Sequence, residues 1–263
     1  MPQSPNSASK PQTDQTLPPE SLDLQTIVDR LAQAQMQNHE QLRAYTVTRD
    51  YRLFGETTQK ANSEVVARVN FVPPNRETFS IEKAEGSSRG EGIVQKVLEH
   101  ESSVARSDEP SALISDAKYN FSYAGMASLD GHSCYVLGLH PKHKAENLVD
   151  GQVWVDATTF LPRKVDGYLS KNPSWWIKRV HLDLSFGDVS GMWLQTATNA
   201  VADVRWFGEH TLTSRAVNFQ TSEVTARVHG PVLLSGHGMQ ARPRVVRRPI
   251  RPVPAIGAGV LAR

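Results

Sequence analysis

The sequence predicts a mainly β protein of the α+β class, with a large curved antiparallel sheet of roughly ten strands covered by two helices. Through most of the chain, apolar and polar residues alternate with the period of two that is typical of half-buried strands. Short turn-forming segments separate these stretches, which favours antiparallel pairing over βαβ units. Only two stretches have helical spacing, and a sheet of about ten strands is expected to curl or close on itself.

The chain opens with a segment that carries no signal of regular structure. Residues 1–20 are rich in Pro, Ser, Gln and Thr and lack apolar periodicity, which predicts a disordered leader. An amphipathic helix is predicted over about 22–40, because apolar residues recur there at helical spacing. Ser21 or Asp23 can cap its first turn with a side-chain oxygen.

Three strands then form a predicted meander. They are expected over residues 45–53, 64–72 and 78–83. Pro73 and Pro74 end the second strand, because proline cannot donate to a ladder. We interpret the glycine-rich segment EGSSRGEG, residues 85–92, as a mobile flap or ordinary loop before a short helix that ends near Ala105.

The remaining strands are marked by clear turn chemistry. They are predicted over residues 118–127, 132–139, 152–155, 161–170, 176–186, 192–199 with an extension through 201–206, and 210–219. Asp130-Gly131 is a strong hairpin signal. Asp156 can close a turn with its own side chain, and Pro162 can begin the return strand. We expect the stretch 129–170 to form the middle of the sheet.

Composition favours one globular domain with a basic tail. The chain has 263 residues, 39% of them hydrophobic and 21% charged, so we predict a domain over 21–223 followed by a disordered tail over 224–263. No acidic residue follows Glu223 but seven arginines do, so the net charge of +2 leaves −5 for residues 1–223. The tail is interpreted as solvated; a membrane surface is an alternative. Nucleic acid is not expected, because no aromatic residues interleave with the arginines.

Reactive side chains do not form a recognisable catalytic or metal site in the sequence. His132, His140 and His143 have no tight metal-ligand spacing, so neither a metal nor another cofactor is expected. Cys134, the single cysteine, has no catalytic signature around it and is expected to be a small packed side chain. No G-x-S-x-G motif is present, and we therefore expect a protein that is not an enzyme.

Three local texts resemble a known family. LDGHSCYVLGLHPK (129–142), GQVWVDATTFLPRK (151–164) and LSFGDVSGMWL (184–194) are similar to recurring texts of the bacterial outer-membrane lipoprotein-sorting proteins, the LolA/LolB-like group. The resemblance covers about residues 22–220. One departure is Phe160, which stands where that family often has a small residue such as glycine.

The resemblance implies a half-open antiparallel barrel whose helices cover the open side and whose apolar cavity holds acyl chains. The apolar strand faces are the candidate cavity lining, although they could equally be a filled core. The candidate lining residues are Tyr45, Val47, Val65, Val69, Phe71, Phe79, Ile81, Val180, Leu182, Leu184 and Phe186. Trp175 and Trp176 are candidates for an amphipathic rim.

Two functions follow from these observations. The first is non-enzymatic binding and transport of lipid or of acylated lipoprotein by a monomer that can contact a membrane surface. The second is a protein-interaction or envelope-sensing module on the same fold. The resemblance implies a periplasmic location, whereas the N-terminal residues show no secretory signal and favour the cytoplasm if translation starts at Met1.

Overall fold

The computed structural model describes residues 22–55, 59–105, 114–221 and 225–226. Over these residues it confirms a mainly β fold with two helices and one large antiparallel sheet. The predicted leader and nearly all of the predicted tail lie outside the described residues, so both domain boundaries stay predictions. In the described part of the chain, neither helix is long and apolar enough to cross a membrane.

The elements follow the predicted order with small changes of boundary. The helices are α1, Leu24–Glu40, and α2, Ser88–Ala105. The first five strands are β1 (Tyr45–Phe54), β2 (Ser63–Val72), β3 (Arg76–Gly86), β4 (Tyr119–Leu129) and β5 (His132–Pro141). The others are β6 (Val149–Asp156), β7 (Pro162–Leu169), β8 (Ile177–Val189), β9 (Met192–Val204), β10 (Gly208–Thr221) and the short β11 (Thr225–Ala226).

The strand order differs from the order along the chain at one place. The sheet runs β3-β2-β1-β10-β9-β8-β7-β6-β5-β4, with β11 beside β10. Pairing of β1 with β10 joins the first meander to the last strand of the second, so β8 and β9 lie near the centre. The prediction that residues 129–170 form the middle of the sheet was therefore wrong, because they form strands that lead to the β4 edge.

The predicted turn residues act as expected. Asp130 and Gly131 both have positive φ, 51° and 81°, as the two-residue turn of a tight hairpin requires. Ser190 and Gly191 repeat this geometry with φ of 57° and 79°, so β8 continues to Val189 before it turns. The backbone N–H groups of Thr158 and Thr159 each donate to Asp156 Oδ1 at 2.9 Å, which confirms the predicted turn.

Helix α1 covers the half of the sheet that contains β4 to β7. Its N-cap is Asp23, whose Oδ1 accepts from the Thr26 N–H at 2.9 Å. The buried face of α1 packs on apolar side chains of the sheet and forms the first core cluster. Its buried members are Ile27, Val28, Leu31, Ile114, Tyr119, Leu137, Leu139, Leu148, Val149, Val153, Val155 and Val165.

Helix α2 covers the other half of the sheet and forms the second core cluster. Its buried members are Val47, Tyr51, Val65, Ala67, Val69, Val94, Leu98, Val189, Met192, Ala216 and Phe219. The prediction of a flap over residues 85–92 was wrong, because these residues end β3 and begin α2. A Cβ added to Gly90 would lie 2.0 Å from the Ser63 Oγ, so this glycine allows the helix to approach β2.

Phe160 occupies a backbone position that usually favours glycine. Its φ is 57°, in the left-handed region. Its ring stacks on Tyr135 with centroids 6.0 Å apart, and the Arg30 guanidinium of α1 lies 5.1 Å from the ring centroid. The side chain thus links α1 to the β6–β7 turn, which provides contacts that a glycine could not make.

Candidate functional site

The candidate lining residues fall into two groups on the inner face, which is the face covered by the helices. Six of them, on β1, β2 and β3, belong to or pack against the second core cluster: Tyr45, Val47, Val65, Val69, Phe79 and Ile81. Phe71, at the end of β2, is buried and stacks on Tyr45 with ring centroids 5.2 Å apart. Three on β8, Leu182, Leu184 and Phe186, pack against the first core cluster while remaining half-buried. Val180 is buried but belongs to neither cluster.

A row of side chains runs from the first core cluster to the second across β8, β9, β10 and β1. Leu184 pairs with Thr198, Thr198 with Ser214, and Ser214 with Tyr51. Directly paired residues of antiparallel strands share a face, so these four side chains form one row across four strands. The row begins with an apolar side chain on β8 and becomes polar towards β1.

A polar cluster therefore lies within an otherwise apolar inner face. Its members are Arg49, Tyr51, Gln195, Thr198 and Ser214, which we call the inner polar cluster. Arg49 Nη2 donates to the Gln195 carbonyl oxygen at 3.1 Å, and Gln195 Nε2 donates to Thr198 Oγ1 at 2.6 Å. The first bond joins β1 to β9 across the intervening β10, and the second lies within β9.

Three polar atoms of this cluster are buried without a hydrogen-bond partner among the residues that the structure describes: Arg49 Nη1, Tyr51 Oη and Ser214 Oγ. The exposed fraction is 0% for Tyr51 and 4% for Ser214. Buried polar groups are nearly always hydrogen-bonded in proteins. Three neighbouring exceptions therefore make the inner polar cluster a candidate functional site.

Acidic side chains approach the same cluster from α2 and β3. Burial raises the pKa of Glu101, and the nearby Arg49 lowers it in part. Burial also raises the pKa of Tyr51, and the negative charge of Glu101 raises it further, whereas Arg49 and the neighbouring Ser214 hydroxyl lower it in part. The Tyr51 and Ser214 hydroxyls are thus neighbours, although neither meets the distance and angle of a hydrogen bond with the other. On β3, Glu77 Oε1 accepts from Ser102 Oγ at 3.3 Å and interacts electrostatically with Arg49. The negative charges of Glu101 and Glu77 therefore offset the positive charge of Arg49.

Sequence reasoning missed the inner polar cluster, although one signal was present. Arg49 occupies an alternating position between Val47 and Tyr51, on the side of β1 that is otherwise apolar. A charged residue on such a face suggests a buried partner or ligand. Its neighbours Ser214 and Gln195 could not be identified, because they are brought to β1 only by the pairing of distant strands.

The histidines singled out in the sequence are not brought together. His132 Nδ1 lies 2.9 Å from Arg163 Nη2, and His140 Nδ1 lies 3.4 Å from Asp150 Oδ1. Within the described ranges, no group of three or more His, Cys, Asp or Glu side chains could hold a metal ion. Cys134 is buried as expected, and burial raises the pKa of its thiol.

Exposed aromatic rings gather where β7 meets β8 and β9 meets β10. Trp175, Trp176, Trp206 and Phe207 form what we call the aromatic end. Trp175 and Trp206 are 76% and 78% exposed, and their ring centroids lie 6.0 Å apart in an edge arrangement. The Arg205 N–H donates to the Trp176 carbonyl oxygen at 2.8 Å, which holds the two loops together.

Comparison with known proteins gives no curated match to the sequence. A family model described as "Uncharacterized protein" matches residues 103–221. A solved domain assigned as an outer membrane lipoprotein-sorting protein from Vibrio parahaemolyticus is 14% identical, covers 72% of this chain and 90% of its own, and has a TM-score of 0.42.

Two further solved structures are similar at the same low level. A LolA superfamily protein from Nitrosomonas europaea is 11% identical over 78% of this chain and 96% of its own, with a TM-score of 0.38. The MucA/MucB complex of Pseudomonas aeruginosa is 10% identical over 72% and 91%, with a TM-score of 0.23. Likenesses at this level carry no functional detail.

Proposed function

We propose that the protein is a non-enzymatic carrier that binds acyl chains of a lipoprotein or similar lipid on the inner face of its sheet. One observation supports this most directly. Apolar side chains of the central strands, Leu182, Leu184 and Phe186 on β8 and Leu194 on β9, are only half-buried. Burying such surface against an acyl chain is favourable by about 0.8 kcal/mol per CH₂ group.

In this proposal the β8 side chains contact the ligand first. Six of the seven candidate residues on β1, β2 and β3, all but Phe71, lie with the second core cluster under α2. They would join the lining where an acyl chain displaces the apolar side chains of α2, such as Val94 and Leu98. We propose the periplasm as the place of action, in keeping with the resemblance of the local texts.

A titration with a fluorescent long-chain acyl methyl ester tests the carrier function. We expect saturable binding that Leu184→Gln weakens about tenfold, because a polar group then enters the apolar inner surface. Val72→Gln, at an exposed position on the outer face of β2, is the matched control and should bind normally. Absence of saturable binding by the folded wild type would contradict the proposal.

We also propose that the aromatic end contacts a membrane surface. Tryptophan rings are amphipathic and favour the boundary between water and lipid. Basic side chains flank them: Arg205 is exposed, and the Arg179 guanidinium lies 4.4 Å from the Tyr168 ring centroid. Such side chains are attracted to anionic headgroups.

Flotation with vesicles of phosphatidylcholine and phosphatidylglycerol, mixed at roughly 7:3, tests this contact. Replacing both Trp175 and Trp206 by Ala should weaken vesicle binding by about tenfold or more. Replacing Tyr123 and Met126 by Ala, two exposed apolar side chains on β4, should leave it unchanged. Equal loss in both variants would instead indicate general adhesion of apolar surface.

A protein-interaction or envelope-sensing module is the second candidate, favoured by the edge strand β4. This strand lies at the end of the sheet and exposes Tyr123 and Met126, so an extended peptide could add to it. The Tyr123 and Met126 double variant should then lose a protein partner while acyl binding remains. A purified complex that is unaffected by this variant would count against the module.

A further inference from the structure

The inner polar cluster has the geometry of a site for one small polar group. Tyr51 on β1 and Ser214 on β10 are directly paired, and Arg49 is the next inward-facing residue of β1, opposite Ala216. Three side chains that can donate hydrogen bonds therefore lie at neighbouring positions of two adjacent strands.

The chemistry of the three groups specifies a hydrogen-bond acceptor. A guanidinium can only donate, and a hydroxyl can donate to an oxygen that has no hydrogen of its own. Arg49 Nη2 is already used by the Gln195 carbonyl, whereas its Nη1, Tyr51 Oη and Ser214 Oγ have no partner in the described part of the chain.

The surrounding charge favours an uncharged acceptor over an anion. Arg49 interacts electrostatically with both Glu101 and Glu77, so its positive charge already faces carboxyl groups. A bound carboxylate or phosphate would add a negative charge beside them in a buried place, which is unfavourable. A carbonyl oxygen accepts the same hydrogen bonds without that charge.

We propose that Arg49, Tyr51 and Ser214 bind the carbonyl oxygen of an uncharged acyl ester or amide, whose hydrocarbon chain extends towards β8. The inference rests on the proposed acyl-chain binding and adds the group that positions the ligand. The row from Tyr51 through Ser214 and Thr198 to Leu184 gives the direction, since it turns from polar to apolar along its length.

Displacement of the uncharged fluorophore N-phenyl-1-naphthylamine by three ligands of the same carbon-chain length tests the inference. The ligands are methyl palmitate, hexadecyl methyl ether, which lacks the carbonyl, and palmitate. In the wild type, the ester should displace the fluorophore at about tenfold lower concentration than the ether, and palmitate should be no better than the ester.

Single substitutions then identify the groups involved. Tyr51→Phe and Ser214→Ala should each reduce the preference for ester over ether to about threefold or less. Thr213→Ala, on the outer face of β10, should keep the full preference.

Equal displacement by ester and ether from a wild type that binds the fluorophore would overturn the inference and leave the carrier function standing. A strong preference for palmitate would also overturn it, in favour of an anionic ligand. Failure of all three ligands to displace the fluorophore would overturn the carrier function itself.

Discussion

The two helix-covered halves of the inner face differ in the hydrogen bonding of their buried polar side chains. Under α1, the buried Gln35 Nε2 donates to the carbonyl oxygens of Leu31 and Ile114 at 3.1 and 2.9 Å, and its Oε1 accepts from the Ile114 N–H at 3.0 Å. Under α2, polar atoms of Arg49 and Tyr51 are buried without a partner among the described residues.

From this difference we expect the α1 half to contribute more to stability and the α2 half to hold the proposed ligand site. In the half under α1, an amide side chain uses its hydrogen-bonding groups to tie the helix to the segment before β4. In the half under α2, the unused donors lower stability, because a buried group without a partner has lost its bonds to water. A bound group that accepts hydrogen bonds from these donors would remove this cost.

The largest expected effect on the stability of the protein comes from a substitution in the first core cluster. Leu137→Ala removes a fully buried side chain and should lower the free energy of unfolding by about 2–5 kcal/mol. Urea denaturation measures this change. Acyl-ester affinity of the folded fraction should stay within about twofold; a tenfold loss of affinity would break the proposed division between the two halves.

Gln35→Ala should have the next largest effect. It leaves the buried N–H and carbonyl of Ile114 without their side-chain partner, so we expect a loss of about 1–3 kcal/mol in urea denaturation. Gln33→Ala, on an exposed position of the same helix, serves as the control and should change stability little. If both variants were equally stable, the hydrogen bonds of Gln35 would not distinguish the α1 half.

Glu101→Gln tests the α2 half through pH. Because burial raises the folded-state pKa of Glu101 above its ordinary value of 4.5, the folded chain holds this proton more tightly than the unfolded chain. This tighter proton binding contributes to the free energy of unfolding. The contribution is fully present below pH 4.5 and is lost as pH rises through the folded-state pKa.

We therefore expect the Glu101→Gln variant to match the wild type in acid and to be more stable at neutral pH. The free energies of unfolding of the variant and the wild type, measured by urea denaturation from acid to neutral pH, test this expectation. Glu99→Gln, on an exposed position of α2, should follow the wild-type profile. A Glu101→Gln profile parallel to that of the wild type would mean that the carboxyl group is not buried in the folded chain.

Tyr51→Phe should have the smallest effect on stability, in contrast to Gln35→Ala. Tyr51→Phe removes a hydroxyl that has no partner among the described residues, so stability should change by less than about 0.5 kcal/mol or rise slightly. Thermal and urea unfolding measure this change. A loss above about 1 kcal/mol would show that the hydroxyl is hydrogen-bonded within the folded chain.

Local signals in the sequence were sufficient to predict most of the helices and strands but not the order in which the strands pair. Asp130-Gly131 and Asp156 identified turns correctly, because each acts within a few residues. The start of α2 was missed because Gly90 is used for close approach to Ser63. The β1–β10 pairing has no local signature, which explains both the wrong position of residues 129–170 and the missed partners of Arg49.

The pairing of Tyr51 with Ser214 also sets an order of assembly. These residues come from the first and the last long strand of the sheet, so they meet only after nearly all of the described chain is available. Contacts between such distant segments form slowly during folding. We therefore expect the proposed carbonyl site to form after the pairs among β4 to β7, which are neighbours in the chain. A nascent chain that ends before β10 would lack Ser214 and with it one of the three proposed donors.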